Sequence, residues 1–480
     1  MTTGPRTAAG TPVQEVRAAA RRQARTLSGG LAVTLGVVLA FLLVVAFVLL
    51  DYRFDQDPHR LVKILLGGAV FGGILLQPRL GLFVLPVATP FLPWMPRIPL
   101  PGINVLNVLL LSVFLPWAVA RVLRREPLFR PNRLGGTLLA IVALAALSIV
   151  RGAAFPTGYL YDGGDAALQL FRSAMTFAVY FIALTMARGE RDRRRYAWAL
   201  VIGLLVESVV TIAYGRNGRG ARALGSFGQS NDLGAFVAMF TVFVAAQLPA
   251  ARNWLARAVL AAGMVAGAAA TVLSVSRGAV IALAVGLLYV GLRSSRLLTA
   301  LLVLAAVGWP LWAPDYLKER MAGTTVEVEG SDAVALEGAA QTRVDTWKAI
   351  VKVVSEHPVE GVGFAGLGYV LPGVGEELGI EVKDSSHNTF LRFLSELGIF
   401  GLLLFLVLLW RCWKLSQDGL RAARSPFDRQ LAVGLGAATL ALVISCAFGD
   451  RFFNILITGN FWLACALVND LLLERQREAA

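Results

Sequence analysis

The sequence predicts an all-α, polytopic integral membrane protein of about fourteen (12–14) transmembrane helices, and three observations carry that expectation. Of its 480 residues 56% are apolar and only 16% charged, where a soluble domain carries charge on about a quarter. Mean hydropathy is +0.66. The basic surplus behind the net charge of +14 falls in short clusters between long apolar runs. That pattern reads as membrane topology and argues against nucleic acid as a partner. The three cysteines (Cys412, Cys446, Cys465) lie in or at the end of apolar runs without metal-ligand spacing, which excludes a disulfide scaffold and a zinc module.

Runs long enough to cross the hydrocarbon core fall near 28–50, 62–78, 80–94, 103–122, 134–150, 166–187 and 196–214 in the first part of the chain. They continue near 231–251, 255–273, 278–293, 297–313, 388–411, 430–448 and 452–473. The second and third are short and separated only by Gln77-Pro78-Arg79, with Pro86, Pro90, Pro93 and Pro96 in or beside the third. A single broken or re-entrant hairpin is the alternative there. The first run follows a long basic leader (Arg6, Arg17, Arg21, Arg22, Arg25) and exceeds a signal-peptide core, so it is expected to remain as an anchor.

Basic loops stay cytoplasmic. The clusters Arg121–Arg133, Arg188–Arg195 and Arg411–Arg429 fall on the side of the N-terminus, which places both termini in the cytoplasm. The chain then divides into a basic tail (1–27), an N-terminal helical region (28–195), helices carrying Arg-rich outer loops (196–313), one large extracytoplasmic loop (314–387), C-terminal helices (388–473) and a short tail (474–480). The large loop holds 6 basic and 13 acidic residues. Its portion 324–341 is small and acidic and is expected to be mobile. Within 342–363, Val344, Trp347, Ile350, Val351 and Val354 at helical spacing before Pro358 predict an amphipathic helix over the membrane domain.

Arginines on the outer side break the topology rule. The loop 215–230 carries Arg216, Arg219 and Arg222 without an acidic residue, and the turn S-V-S-R-G carries Arg277. A guanidinium suits bidentate phosphate binding, the glycines let backbone amides approach the same anion, and a helix beginning after Ser230-Asn231 adds positive potential. A phosphate or pyrophosphate site follows. Lipid headgroups, or acidic residues of the large loop, are the alternative partners.

Of three histidines, His59 reads as a solvated loop residue and His357, before Pro358, as a helix-end residue. His387 stands in D-S-S-H-N-T-F, where the chain re-enters the membrane. A neutral imidazole there can take a proton from a sugar hydroxyl, with Asp384 placed to orient it or raise its pKa. Within the spans, Glu207, Asp232, Arg392, Glu396 and Asp470 are charged, and Arg392 and Glu396 are spaced to satisfy one another. The chain has no Walker loop and no serine in a nucleophile elbow, and its Asp55-Gln56-Asp57 triplet stands in a short loop beside His59, so no metal or nucleotide cofactor is expected.

The segments R-A-L-G-S-F-G-Q-S-N-D (222–232), L-S-V-S-R-G-A-V (273–280), T-R-V-D-T-W-K-A-I…H-P-V-E-G-V-G-F (342–364) and S-H-N-T-F-L-R-F-L-S-E-L-G-I-F-G-L (386–402) together resemble the O-antigen ligase and Wzy-type polymerase superfamily. The resemblance covers roughly 210–410, with Ser230 where the family often has proline. It implies a GT-C-like helical fold in a bacterial inner membrane and a metal-independent, inverting glycosyltransferase. The donor it implies is a glycan on undecaprenyl pyrophosphate, passed to a glycan or lipid acceptor hydroxyl, with a chain-length regulator as partner in the polymerase case. By the same resemblance His387 activates the acceptor. Arg277, Arg343 and Arg222 contact the pyrophosphate, and Asp384, Asn388 and Glu396 support the site. The motifs leave polymerase and ligase open; fourteen spans lean to polymerase. A lipid-linked oligosaccharide flippase is the alternative of another class, against which stands the absence of an internal repeat.

Overall fold

A computed structural model describes residues 68–69, 71–95, 104–154, 161–214, 222–294 and 338–479, with shorter pieces between 299 and 336. The expected span 28–50, most of 297–313, the first part of 62–78, the tail 1–27, His59, Arg216 and Arg219 lie outside the described residues.

The protein is helical and polytopic. Ten described helices are long and apolar enough to cross a membrane. They are α2 (Val105–Leu123), α3 (Gly135–Ala153), α4 (Gly163–Met186), α5 (Gly189–Tyr214), α6 (Ser230–Gln247), α7 (Trp254–Leu273), α8 (Arg277–Ser294), α11 (Thr389–Ala422), α12 (Pro426–Ala447) and α13 (Ile455–Ala479). Each meets one of the apolar runs read from the sequence. The run 80–94 does not form a span. It gives α1 (Pro78–Ala88), only 11 residues long, then a 3-10 turn over Thr89–Trp94, because its prolines remove backbone donors the helix needs.

The described chain forms two compact units. The described residues of one fall within 1–82 and 108–130, those of the other within 83–107 and 131–480. In the first, Trp117 packs its ring against Phe114 and Phe129 and under the Arg121 guanidinium.

The second unit contains every described candidate site residue. Its centre is α6, buried on all sides against α7, α8 and α12, as a helix apolar around its whole circumference must be. Small residues permit the close approach: a Cβ at Gly286 would meet the Val242 side chain at 2.6 Å. By contrast α3 and α7 keep Leu139, Leu147, Val150 and Val265 exposed, faces suited to lipid.

Consecutive helices of this unit alternate in direction, so their loops collect at two ends. At one end Arg193, fully buried, pairs with Asp428 (3.0 Å), Asp470 (2.9 Å) and Glu474 (2.7 Å), tying α5, α12 and α13 together. The opposite end carries the starts of α6, α8, α11 and α13 and the segment between α8 and α11.

That segment has its own small core. Helix α9 (Gly338–Glu356) packs on α10 (Leu367–Leu378) through Ala349, Ile350, Val353, Leu367, Leu371 and Val374. The amphipathic reading holds for Ile350, Trp347 and Val354, whereas Val351 is 62% exposed. Within 324–341, two three-residue strands, Thr325–Glu327 and Val334–Leu336, pair antiparallel with Val326 opposite Ala335. Beyond α9, the stretch His357–Phe364 inserts into a break in α11, where Gly398 has φ +66° and ψ −168°. Three backbone bonds lock it: Val362 N–H to Ser395 (2.8 Å), Gly363 N–H to Glu396 (3.0 Å), and Ile399 N–H to the Pro358 carbonyl (2.9 Å). A side chain at Gly398 would collide with the Val359 carbonyl, and one at Gly361 would meet Glu396 backbone at 2.6 Å.

Candidate functional site

Arg277 is the first residue of α8, and Arg222 lies shortly before α6. A cation at a helix N-terminus opposes the helix dipole and is disfavoured unless an anion joins it. Arg222 is nevertheless held in place. Arg222 donates from Nε to the Ser274 carbonyl (3.1 Å) and from its terminal nitrogen to Asn231 Oδ1 (2.6 Å). The adjacent Ala223 N–H donates to the Leu273 carbonyl at 2.9 Å. The loop before α6 is thereby bonded to the turn before α8. In that turn Val275 has φ +50°, a conformation disfavoured for a β-branched residue and retained only when the surroundings enforce it. Gly234 supplies part of that enforcement, since a Cβ there would meet Ser274 Oγ at 2.7 Å and Ala279 Cβ at 2.8 Å.

Glu207 is fully buried in α5 and anchors the same loop from beneath. Its carboxylate accepts the Ser226 hydroxyl (2.5 Å), the Ser226 N–H (3.0 Å) and the Thr211 hydroxyl (3.2 Å).

His387 occupies a tight turn with φ +50°. The turn is fixed on three sides. Trp347 Nε1 of α9 donates to the Ser386 carbonyl at 2.9 Å, and the Lys383 N–H donates to Thr346 Oγ1 at 3.2 Å. Below, the hydroxyls of Ser385 and Ser386 donate to the two carboxylate oxygens of Asp450 at 2.5 and 2.6 Å. Asn388 caps α11, accepting from the Phe390 and Leu391 N–H groups at 2.9 and 3.2 Å, which is the ordinary work of an N-cap side chain.

The His387 pKa lies below the usual histidine value. Burial of the half-buried ring is the largest cause, and the Arg343 charge adds to it. Asp450 and, weakest of the named influences, the exposed Asp384 pull the other way. The rise expected from Asp384 is therefore overruled. Burial and a cation both disfavour imidazolium, leaving a neutral ring at neutral pH.

Arg343 thus shares its surroundings with His387, whereas Arg222 and Arg277 belong to the neighbouring turn system. Glu396 is buried and paired with Arg392 at 3.1 Å. It also accepts the Ala365 N–H at 3.0 Å. Its contacts hold α11 to the inserted loop. His357 sits beside Glu360 (3.0 Å), as a helix-end residue does.

Sequence reasoning missed Asp450 and Arg451, in the short turn F-G-D-R-F-F-N between α12 and α13. Asp450 faces the His387 turn. Arg451 pairs closely with Asp232 in the first turn of α6 and is 7% exposed. Burial and the neighbouring Arg222 charge depress its pKa to about 10. The only signal in the sequence was a pair of charges in a seven-residue connection between apolar runs. Among the described residues no cluster of His, Cys, Asp and Glu could hold a metal ion.

Residues 261–406 match the family model described as O-antigen ligase. The match runs from within α7 to within α11, taking in Arg277, Arg343 and His387. No curated protein matches the chain.

Proposed function

From a polytopic helical chain whose segment 261–406 matches the O-antigen ligase family model, we propose a glycosyltransferase that uses an undecaprenyl-pyrophosphate-linked glycan as donor. The observation that supports this reading best is the gathering of Arg222, Arg277 and several helix N-termini at the end of the unit that also holds His387. In this reading both chain termini are cytoplasmic, and the segment 314–387 faces the outside of a bacterial inner membrane.

The chemistry is a single displacement. The acceptor oxygen attacks the anomeric carbon, and its proton passes to the neutral imidazole of His387. The bond from the anomeric carbon to phosphate breaks, and its electron pair leaves on undecaprenyl pyrophosphate. Backside attack inverts the anomeric carbon. Pyrophosphate is already a good leaving group, so the chain's main task is to stabilise the charge that grows on it. Arg222, Arg277 and Arg343 take that role. Asn388 and Glu396 hold the backbone that presents His387. A polymerase, extending a second lipid-linked glycan, is favoured over a ligase by the number of apolar runs in the sequence, thirteen once 80–94 is set aside.

Purified protein in vesicles with undecaprenyl-pyrophosphate oligosaccharide tests this. A polymerase releases undecaprenyl pyrophosphate and builds a ladder without any other acceptor. A ligase adds glycan only when a lipid or protein acceptor is supplied. Transbilayer movement of the donor without release of undecaprenyl pyrophosphate would refute transfer and favour a flippase.

A further inference from the structure

Arg451 and Asp232 form the pair that the reaction scheme above leaves without a task. Both are nearly enclosed, with side chains 8% and 14% exposed. Asn231, Ser276, Gly278, Ser445, Phe448 and Arg451 line one small cleft. The cleft is continuous with the residues already described: Ser276 and Gly278 flank Arg277, and Asn231 accepts from Arg222. Ser445, 4% exposed, has a hydroxyl with no hydrogen-bond partner among the described residues. An unpartnered buried hydroxyl is costly, and here it borders a cleft flanked by arginines. The N-terminal ends of α6 and α8 line the cleft as well, and each favours an anion.

Asp232 does not depend on Arg451 alone. Asn454 Nδ2 donates to it at 3.0 Å. The Gln229 amide, oriented with its nitrogen toward the carboxylate, donates at 2.7 Å. With two amide donors remaining, Asp232 stays solvated by the protein when the guanidinium turns away. Arg451 in turn lies close enough to Arg222 for their charges to repel. A multiply charged anion between them relieves that repulsion better than a single carboxylate can.

We infer that Arg451 is a further binding residue for the lipid-linked diphosphate, and that Asp232 holds the place on its guanidinium that a phosphate oxygen takes. The inference rests on the transfer reading proposed above. It adds an exchange of ion-pair partners, carboxylate for phosphate, as part of donor binding. Asp232 then limits affinity: it competes with the donor and with the lipid diphosphate left after transfer, easing release of the latter.

The test is equilibrium binding of undecaprenyl pyrophosphate to the purified full-length protein in detergent, across four variants. Arg451→Gln weakens binding tenfold or more, and Arg451→Lys, which keeps the charge, weakens it somewhat less but does not restore it, since a point charge cannot form the bidentate contact. Asp232→Asn does the opposite and tightens binding severalfold, because the competitor has lost its charge. A purely structural ion pair predicts the same sign for Arg451→Gln and Asp232→Asn, and that result overturns the inference. If Arg451→Gln fails to fold, Asp232→Asn alone decides by its sign. Arg277→Ala separates the two levels. Loss of binding there with unchanged binding in Arg451→Gln sinks only this inference. Unchanged binding in Arg277→Ala sinks instead the assignment of Arg277 to the pyrophosphate.

Discussion

Thr389 and Arg451 are joined side chain to backbone: Thr389 Oγ1 accepts the Arg451 N–H at 3.1 Å while donating to the Gly449 carbonyl at 2.8 Å. Thr389 is the first residue of α11, directly after His387-Asn388, so the histidine turn and the turn between α12 and α13 are one bonded assembly. Asp450 and Arg451 leave that assembly in different directions. The carboxylate goes to Ser385 and Ser386, and the guanidinium goes to Asp232. Two adjacent residues thereby connect the proposed acceptor side to the proposed donor side.

Arg277→Ala and Arg343→Ala should each lower glycan transfer by about 10²–10³-fold, corresponding to ~2.7–4 kcal/mol of lost charge stabilisation. The protein should still insert and accumulate. The Lys variants should recover little, because lysine offers a point charge where the phosphate needs a planar fork. Full activity with Lys at both positions would contradict bidentate binding. Turnover of a defined lipid-linked donor, normalised to folded protein, measures it.

For His387 the sign of the pH effect is fixed by its surroundings. Burial and Arg343 lower the pKa, so the ring stays neutral, and able to accept a proton, below the ordinary histidine range. The acid limb of the rate profile should accordingly fall below about pH 6.5, the unperturbed value. Arg343→Gln removes a cation that disfavours imidazolium, raises the pKa and moves the acid limb to higher pH in whatever activity remains. An acid limb that stays in place would disconnect the two residues.

His387→Ala should lose about 10²–10⁴-fold in rate, the usual worth of a general base, with donor binding preserved. His387→Gln keeps a hydrogen-bonding side chain without a titratable ring. Recovery of most of the rate by Gln would reduce the histidine to positioning the hydroxyl.

At the opposite end of the unit, Arg193→Ala should cost about 3–5 kcal/mol of stability, since it leaves Asp470 buried without its cation and Asp428 with only Arg475 at 3.6 Å. Unfolding temperature in detergent reads this directly. Activity per folded molecule should be unchanged, because Arg193 lies among helix ends remote from the His387 turn.

The sidedness itself is open to cysteine labelling. An exposed position on α9, Lys348→Cys, should react with an impermeant reagent added outside, and Arg195→Cys should be protected. The reverse pattern would invert the assigned topology.

Ten spans were legible in the sequence because a bilayer imposes a length of about 20 apolar residues, which survives any detail of packing. The arginine-bearing loops stood out for a related reason: Arg222 and Arg277 fall on the side that the charge count assigns to the outside, where basic residues are expected to be rare. The break at Gly398 was not. In the run S-E-L-G-I-F-G a glycine reads as a tolerated helix residue, and only the carbonyl of Val359, distant in sequence, requires it. Asp450 and Arg451 escaped for the same reason. Their partners Ser385, Ser386 and Asp232 lie far along the chain, and no local pattern records such pairings. Asp384 was chosen for its nearness in sequence to His387, whereas Asp450 approaches the turn through space.

The interruption of α11 at Gly398 has a consequence for biogenesis. Ser395 and Glu396 have carbonyls whose partners are N–H groups of Val362 and Gly363, donated by a stretch that is synthesised earlier and that, in the topology proposed above, is carried across the membrane. The entering turns of α11 therefore cannot complete their backbone bonding when the helix leaves the translocon. They wait for a translocated segment to dock, in a setting where each unpaired backbone group costs several kcal/mol. Export of that segment and maturation of the bundle become a single event.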